Sequence, residues 1–258
     1  MSQAWMVVSG KGGVGKSIIT AALGVALAKR GISCVVMDTD MGLRNLDLIL
    51  GLENMVVFDV LDVAQKECKL KSALIRDSKH PELSLLAASQ MGELTDLDAD
   101  SLLQLITMLK RRFSYILLDA PAGLGYFLNA LAPVVDNALL VTTPDDVAIR
   151  DAERIVSLLF KQGKPQPMLV VNRVYPQLVR DGGMYSPRTV ANLLDTPLLG
   201  YIPNDVEVLR AINGHESFMD LDCPARHAMD RISRRFLGEF VPMPDPDKAR
   251  GLLRGRRS

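Results

Sequence analysis

Residues Ser9-Gly10-Lys11-Gly12-Gly13-Val14-Gly15-Lys16-Ser17 set two lysines and two hydroxyls among four glycines. Gly10, Gly15, Lys16 and Ser17 satisfy G-x-x-x-x-G-K-[ST], the spacing that lets backbone N–H groups turn inward around a polyphosphate. Lys16 is then placed to reach the β- and γ-phosphates and Ser17 to ligate Mg²⁺, with the positive end of a following helix adding to the same anion site. A short apolar run at 5–8 precedes the turn and a helical pattern at 18–30 follows it, which is the context this chemistry requires. The stretch reads as the binding site of a nucleoside triphosphate.

The elements that must hold such a loop are legible around it. Apolar strand-like runs at 4–9, 33–38, 83–87, 115–119, 138–142, 168–172 and 198–202 alternate with helical patterns. Runs that are apolar throughout belong to strands buried on both faces. The expected fold class is α/β: a single doubly wound, mainly parallel sheet with helices on both faces. Gly31 is placed to end the first helix at C′, and Ser186-Pro187 reads as an N-cap followed by proline at N1. Ile149, Ala152, Ile155, Val156, Leu159 and Phe160 form one apolar face of a helix that stops before Gly163.

In such a sheet the ligand lies at the carboxyl ends of the strands. The second run delivers Asp38-Thr39-Asp40 to that edge, and the run at 115–119 delivers Asp119, after an apolar stretch. An isolated aspartate at a strand end is usually a turn former. Together with the glycine-rich loop, Asp119 is expected to hold Mg²⁺ beside Ser17, Asp38 to ligate it through a water, and Asp40 to orient an attacking water. Gly123 and Gly125 give the loop after Asp119 freedom to respond to a terminal phosphate.

Composition bounds the remaining classes. The chain has 258 residues, 48% hydrophobic and 23% charged, which suffices for one large domain with a sizeable core. Cys34, Cys68 and Cys223 are odd in number and far apart, fitting a reducing compartment better than disulfides or a metal site. No apolar run approaches the about 18 residues of a membrane span. Formal net charge is zero, yet residues 248–258 carry Lys248, Arg250, Arg254, Arg256 and Arg257 and no acid. Residues 1–247 therefore hold 25 basic and 30 acidic side chains, a mildly acidic balance that argues against general DNA binding.

Lys11 gives the loop a second cation, and K-G-G-x-G-K-[ST] resembles the deviant Walker A signature of the ParA/MinD family of P-loop ATPases. Residues 38–47, running on to Gly51-Leu52-Glu53, look like that family's switch I, and Asp119-Ala120-Pro121-Ala122-Gly123 is similar to its switch II. Val141-Thr142-Thr143-Pro144, residues 148–152 and Asn172-Arg173-Val174 continue the match, which spans about residue 5 to about residue 240. The resemblance implies ATP and Mg²⁺ as cofactors. Gly10, Lys11, Gly12, Gly13, Val14, Gly15, Lys16, Ser17 and Ile18 would line the nucleotide, with Ile18 packing behind the loop, and Lys11, Lys16 and Asp40 would serve catalysis. Asn172 and Arg173 would recognise the base, and Pro203, Asn204 and Asp205 would close over adenine. Arg44, Asn45 and the helix start at 145–154 lie where family members meet partners.

What the resemblance implies about function is an ATP-dependent dimerising switch that positions the division site. It would cycle on and off the membrane, recruit a division inhibitor and be released by an activating protein. Its location would be cytoplasmic, and peripheral on the inner face of the cell membrane when ATP-bound. A homodimer is expected in the ATP state, with Lys11 reaching the partner's nucleotide. Domain organisation reads as an ATPase domain at 1–241, a proline-rich linker at 242–247 and a basic, weakly amphipathic tail at 248–258 directed to an anionic membrane surface. The tail departs from the family pattern in having only Leu252 and Leu253 as large apolar residues and two glycines. Burying two leucines supplies about 3–5 kcal/mol before ordering costs, each glycine costs about 1 kcal/mol of helix propensity, and each cation near an anionic leaflet adds about 1 kcal/mol. One tail is marginal and two on a dimer reinforce each other. A flagellar-number regulator of the same type, which usually carries an additional N-terminal segment, and a DNA-partitioning ATPase are the alternatives. An iron–sulfur carrier is a poorer one, because the cysteines sit in a strand, a charged helix and beside a proline.

Overall fold

The computed structural model describes residues 2–42, 44–91, 97–123 and 126–245. Leu43, Gly125, the last linker residues and the whole basic tail lie outside them. Eight strands, β1 (Gln3–Val8), β2 (Cys34–Asp38), β3 (Ile75–Arg76), β4 (Leu83–Leu86), β5 (Tyr115–Asp119), β6 (Asn137–Thr142), β7 (Met168–Val174) and β8 (Leu198–Pro203), form one sheet in the order β3-β4-β2-β5-β1-β6-β7-β8. The helices are α1 (Lys16–Ala28), α2 (Leu46–Leu50), α3 (Val60–Ala64), α4 (Leu70–Ala73), α5 (Ala99–Lys110) and α6 (Tyr126–Val134). They continue with α7 (Asp146–Lys161), α8 (Pro176–Arg180), α9 (Pro187–Leu193), α10 (Val206–Asn213) and α11 (Pro224–Phe236).

All seven expected strands are present, and every strand pair but one is parallel. Alternation along each strand then divides the core in two. Ala4, Met6 and Val8 of β1, with Ile116 and Leu118 of β5, pack against α3, α5, α7 and α9. Trp5 and Val7, with Leu117, pack against α1 and α11 on the other face. Both faces are covered, as the doubly wound expectation requires.

The sequence reading missed β3, whose two residues pair antiparallel with β4 and are too few to show a period. Phe160 is not on the buried face of α7 but 82% exposed. Ile149, Ala152, Ile155 and Leu159 fill the stripe that meets the sheet, and the next residue points about 100° away. α1 ends at Ala28 with Lys29 as its C-cap, so Gly31, at φ +72°, follows the cap and does not form C′. The Ser186-Pro187 reading holds: the Ser186 hydroxyl accepts the Thr189 N–H at 3.0 Å.

α11 seals its layer through aromatic contact. The Phe236 ring lies 4.5 Å from Trp5, the one tryptophan of the chain, and 5.4 Å from Tyr115. Phe236→Ala is expected to cost about 3–5 kcal/mol and to shift Trp5 emission to the red by admitting water. Urea unfolding followed by fluorescence measures both; unchanged emission would show that α11 does not seal β1.

Candidate functional site

The glycine-rich turn spans the gap between β1, at the centre of the sheet, and α1. Parallel register places Val7 opposite Asp119 and Asp119 opposite Asp38, so both aspartates emerge beside the loop. Neither has exposed surface. Lys16, itself 6% exposed, reaches back along the strand ends and its Nζ donates to Asp119 Oδ1 at 2.8 Å. Thr20 Oγ1 donates to the same oxygen at 2.9 Å, and Thr39 Oγ1 donates to the Asp119 backbone carbonyl at 2.7 Å. Sequence reasoning missed both threonines; Thr20 was within reach of it, one helical turn beyond Lys16 on the same face.

Asp119 Oδ2 is buried without a hydrogen-bond partner. A buried carboxylate oxygen without a donor is costly unless a cation answers it. Together with the Ser17 hydroxyl, 3.5 Å from Lys16 Nζ, it supplies the hard oxygen donors that Mg²⁺ takes, so the residues fit the ion.

Asp38 does different work. Its Oδ1 accepts the Asp40 N–H at 2.9 Å, and its Oδ2 accepts those of Asn45 and Leu46 at 2.9 and 3.1 Å. It ties the 40–46 segment to the strand end. Burial, and then the charge of Asp119, push its carboxyl up to about 6 despite these three donors. The Asp40 carboxyl is also raised, by burial first, with Lys16 pulling it down and Asp119 pushing it up.

A cleft of about 480 Å³ opens over this floor, lined by the 12–18 loop, Asp40, Asn45, Ala122 and Arg173. Gly13 and Gly15 take φ of +80° and +93°, which turn the loop around that space. Gly10 lies elsewhere: a Cβ there would sit 2.3 Å from the Asp151 backbone, so this glycine lets β1 and α7 approach. Lys11 also turns away from the cleft. Its Nζ meets Asp145 Oδ1 at 3.3 Å, in a pair that is largely exposed. Burial raises the Asp145 carboxyl, but hydrogen bonds from Thr143, Ala148 and Lys11 outweigh it and hold it below the usual range.

A second cavity of about 290 Å³ adjoins the first, sharing Ile18, Arg173 and Ile212 with it. All five residues expected at the base, Asn172, Arg173, Pro203, Asn204 and Asp205, line it. Asn172 Nδ2 donates to the Val14 carbonyl at 2.8 Å and so braces the loop. Asp205 caps α10 through the Glu207 N–H at 3.1 Å and holds the start of α11 through the Ala225 N–H at 2.9 Å. The apolar wall, Val206, Leu209, Ile212 and Phe218, was missed by sequence reasoning, since helical apolar spacing does not say which space it faces. Ile18 bridges the two cavities and is only partly buried.

Of the expected partner contacts, Arg44 pairs with Asp47 at 2.6 Å, and Tyr185 donates to Asp146 at 3.0 Å at the start of α7. The cysteines do not converge. Cys34 and Cys223 are buried, Cys68 lies in the turn between α3 and α4 and not in a helix, and burial pushes the Cys34 thiol up to about 12. Among the described residues no group of three or more His, Cys, Asp or Glu forms a metal cluster.

Three comparisons bear on this geometry. The sequence model described as ParA, the NUBPL iron-transfer P-loop NTPase, matches residues 1–237. The septum site-determining protein MinD of Helicobacter pylori is 43% identical over 254 residues, covering 96% of this chain and 95% of that protein. The solved MinC:MinD cell division complex of Aquifex aeolicus matches with a TM-score of 0.88 at 34% identity, covering 95% of this chain and 99% of that one. MinD of Pyrococcus horikoshii, solved with Mg-ADP, matches with a TM-score of 0.82 at 27% identity, covering 92% and 96%.

Two outcomes are expected. A folded-state carboxyl held near 6 against 3.8 gives a stability that is full below about 3.8 and is lost as pH rises through about 6. Urea unfolding of the nucleotide-free protein across that window should therefore show stability falling with pH, with the fall removed in Asp38→Asn; parallel slopes would refute the assignment. Gly10→Ala should cost about 1–3 kcal/mol by forcing α7 away from β1, read as a lower unfolding midpoint.

Proposed function

The chain belongs to the ParA family of P-loop NTPases, in its MinD branch, and from that premise we propose that it is a septum-site-determining ATPase that acts as a dimerising switch on a membrane surface. ATP and Mg²⁺ are its cofactors. The observation that carries the reading is the buried Lys16–Asp119 pair, with an unpartnered carboxylate oxygen, at the floor of a cleft continuous with a base-sized apolar cavity. The phosphates would lie along the 12–17 loop, and the base between Arg173 and the Pro203–Asp205 segment. Ser17 and Asp119 would hold Mg²⁺, which when bound neutralises charge developing on the phosphates. Lys16 would leave Asp119 for the phosphates, and Asp40 would accept a hydrogen bond from the attacking water and so orient it.

The cysteines give no support to iron transfer as this chain's own task, because Cys34 and Cys223 are buried with raised thiols and Cys68 lies apart in the turn between α3 and α4. Recruitment of a division inhibitor follows from kinship with a protein solved as a MinC:MinD complex. Lys11, exposed and lightly held by Asp145, would cross to the partner's nucleotide when two ATP-bound copies meet. An activating protein would then stimulate hydrolysis and dissolve the dimer.

No described helix is long and apolar enough to cross a membrane. Attachment would fall to residues 248–258, two tails per dimer, beyond a linker whose first residue is tied to α11. There the Arg235 guanidinium donates to the carbonyls of Val241 and Pro242, each at 2.7 Å. The arrangement is an ATPase domain at 1–241, a linker and a basic tail.

Two measurements test the reading. Asp40→Ala should keep ATP affinity within about twofold while hydrolysis falls about 10²- to 10⁴-fold; retained hydrolysis would remove Asp40 from the role. Co-sedimentation with anionic vesicles should require ATP and disappear when residues 248–258 are deleted, with nucleotide binding intact. Duplex-DNA binding without vesicle binding would instead favour a partitioning ATPase.

A further inference from the structure

A groove of about 810 Å³ runs between the α3–α4 segment and α5. Its walls carry five exposed cations: Lys66, Lys69 and Lys71 on one side, Arg111 and Arg112 on the other. Among the described residues no acidic side chain lines it and none of the five has an ion-pair partner, although Asp59, Asp62 and Glu67 lie close enough to act on the Cys68 thiol in its wall. The floor is apolar, formed by Val63, Leu70 and Leu105, with Met108 37% exposed at its rim.

Five like charges around one concave space repel one another, and three nearby acids, Asp59, Asp62 and Glu67, are fewer than the cations they face. The C-terminal end of α5 accounts for Arg111 and Arg112, which offset the helix dipole. It does not account for three lysines from the opposite wall, where α4 is only four residues long. The concentration also contrasts with the acidic balance of residues 1–247.

We propose that this groove docks an acidic amphipathic helical segment of a partner protein, with carboxylates against the two cationic walls and apolar side chains over Leu70, Leu105 and Met108. Charge complementarity selects an anionic partner. The concave form between two helical walls fits a helix laid in a groove and not a flat bilayer. No aromatic side chain lines it to stack on bases, which disfavours a nucleic acid. The twelve residues of α5 give the groove about 18 Å of length, enough for three turns of a bound helix. α5 and α3 pack on the sheet face opposite α1, and the groove shares no lining residue with the nucleotide cleft, so the two can be occupied together. The proposal does not depend on the membrane cycle above.

The test uses the full chain and a fluorescein-labelled peptide of about 15 residues in which Glu and Leu recur at helical spacing, with a Lys-for-Glu counterpart as control. The acidic peptide alone should bind, and its affinity should fall steeply with salt. Neutralising Lys69→Gln, Lys71→Gln and Arg112→Gln together should weaken binding about tenfold, whereas Lys79→Gln, Lys161→Gln and Arg188→Gln together should leave it unchanged. Bound peptide should also slow alkylation of Cys68, which lines the groove. ATP hydrolysis should be the same in both triple variants, which controls for folding. Equal binding by the two variants would overturn the proposal. So would loss, in the groove variant only, of binding to phosphatidylglycerol vesicles or duplex DNA while no peptide binds.

Discussion

Two carboxylates without exposed surface, Asp38 and Asp119, stand side by side on adjacent strands, and the rest of the site answers their charge. Asp38 is answered by three backbone N–H groups and Asp119 by the Lys16 ammonium and the Thr20 hydroxyl. The compensation is incomplete. The Asp38 carboxyl stays raised, and one oxygen of Asp119 has no hydrogen-bond partner. A buried, under-compensated pair is a stored preference for positive charge at that point. Lys16 meets that preference in this structure, and a divalent cation brought with a nucleotide would meet it more fully while releasing Lys16 for the phosphates.

That exchange explains why the loops around the pair are built from donors and not from bulk. The ends of the 40–46 segment are held by N–H groups of Asp40, Asn45 and Leu46 on Asp38, with Met41 packed against the core. The glycine-rich turn is braced from behind by Asn172 on the Val14 carbonyl. A change in charge at Asp38 or Asp119 is therefore transmitted to both loops through hydrogen bonds that already exist. Gly10 extends this coupling to α7, whose backbone it touches, and Asp145 at the start of α7 holds Lys11. Phosphate site, switch segment and the helix where partners are expected thus share one connected set of contacts.

The two faces of the sheet have separate roles. At the carboxyl ends of the strands, Asp38, Asp40 and Asp119 gather around the cleft beside the α1 loop. On the face opposite α1, α5 and the α3–α4 segment collect cations over an apolar floor. Placing a charged docking groove there keeps its field away from Asp38 and Asp119, whose balance a nearby cation cluster would upset.

The sequence by itself determined the loop chemistry, the parallel α/β sheet and the three aspartates, because these depend on local composition and on period. G-x-x-x-x-G-K-[ST] states its own geometry, and runs such as 115–119 can be buried on both faces only in a covered sheet. The five residues expected at the base, which line the second cavity together, were also legible, through family likeness and not through any period of their own. Tertiary structure alone decided what each polar group touches. Register made Asp38 and Asp119 neighbours, and backbone donors made Asp38 an anchor. Close approach of α7 is what keeps position 10 a glycine in this structure. The same limit hid Thr39, which meets Asp119, and the basic groove. Each depends on residues far apart in the chain, whose meeting is set by how helices seat on the sheet, and no local pattern encodes that distance.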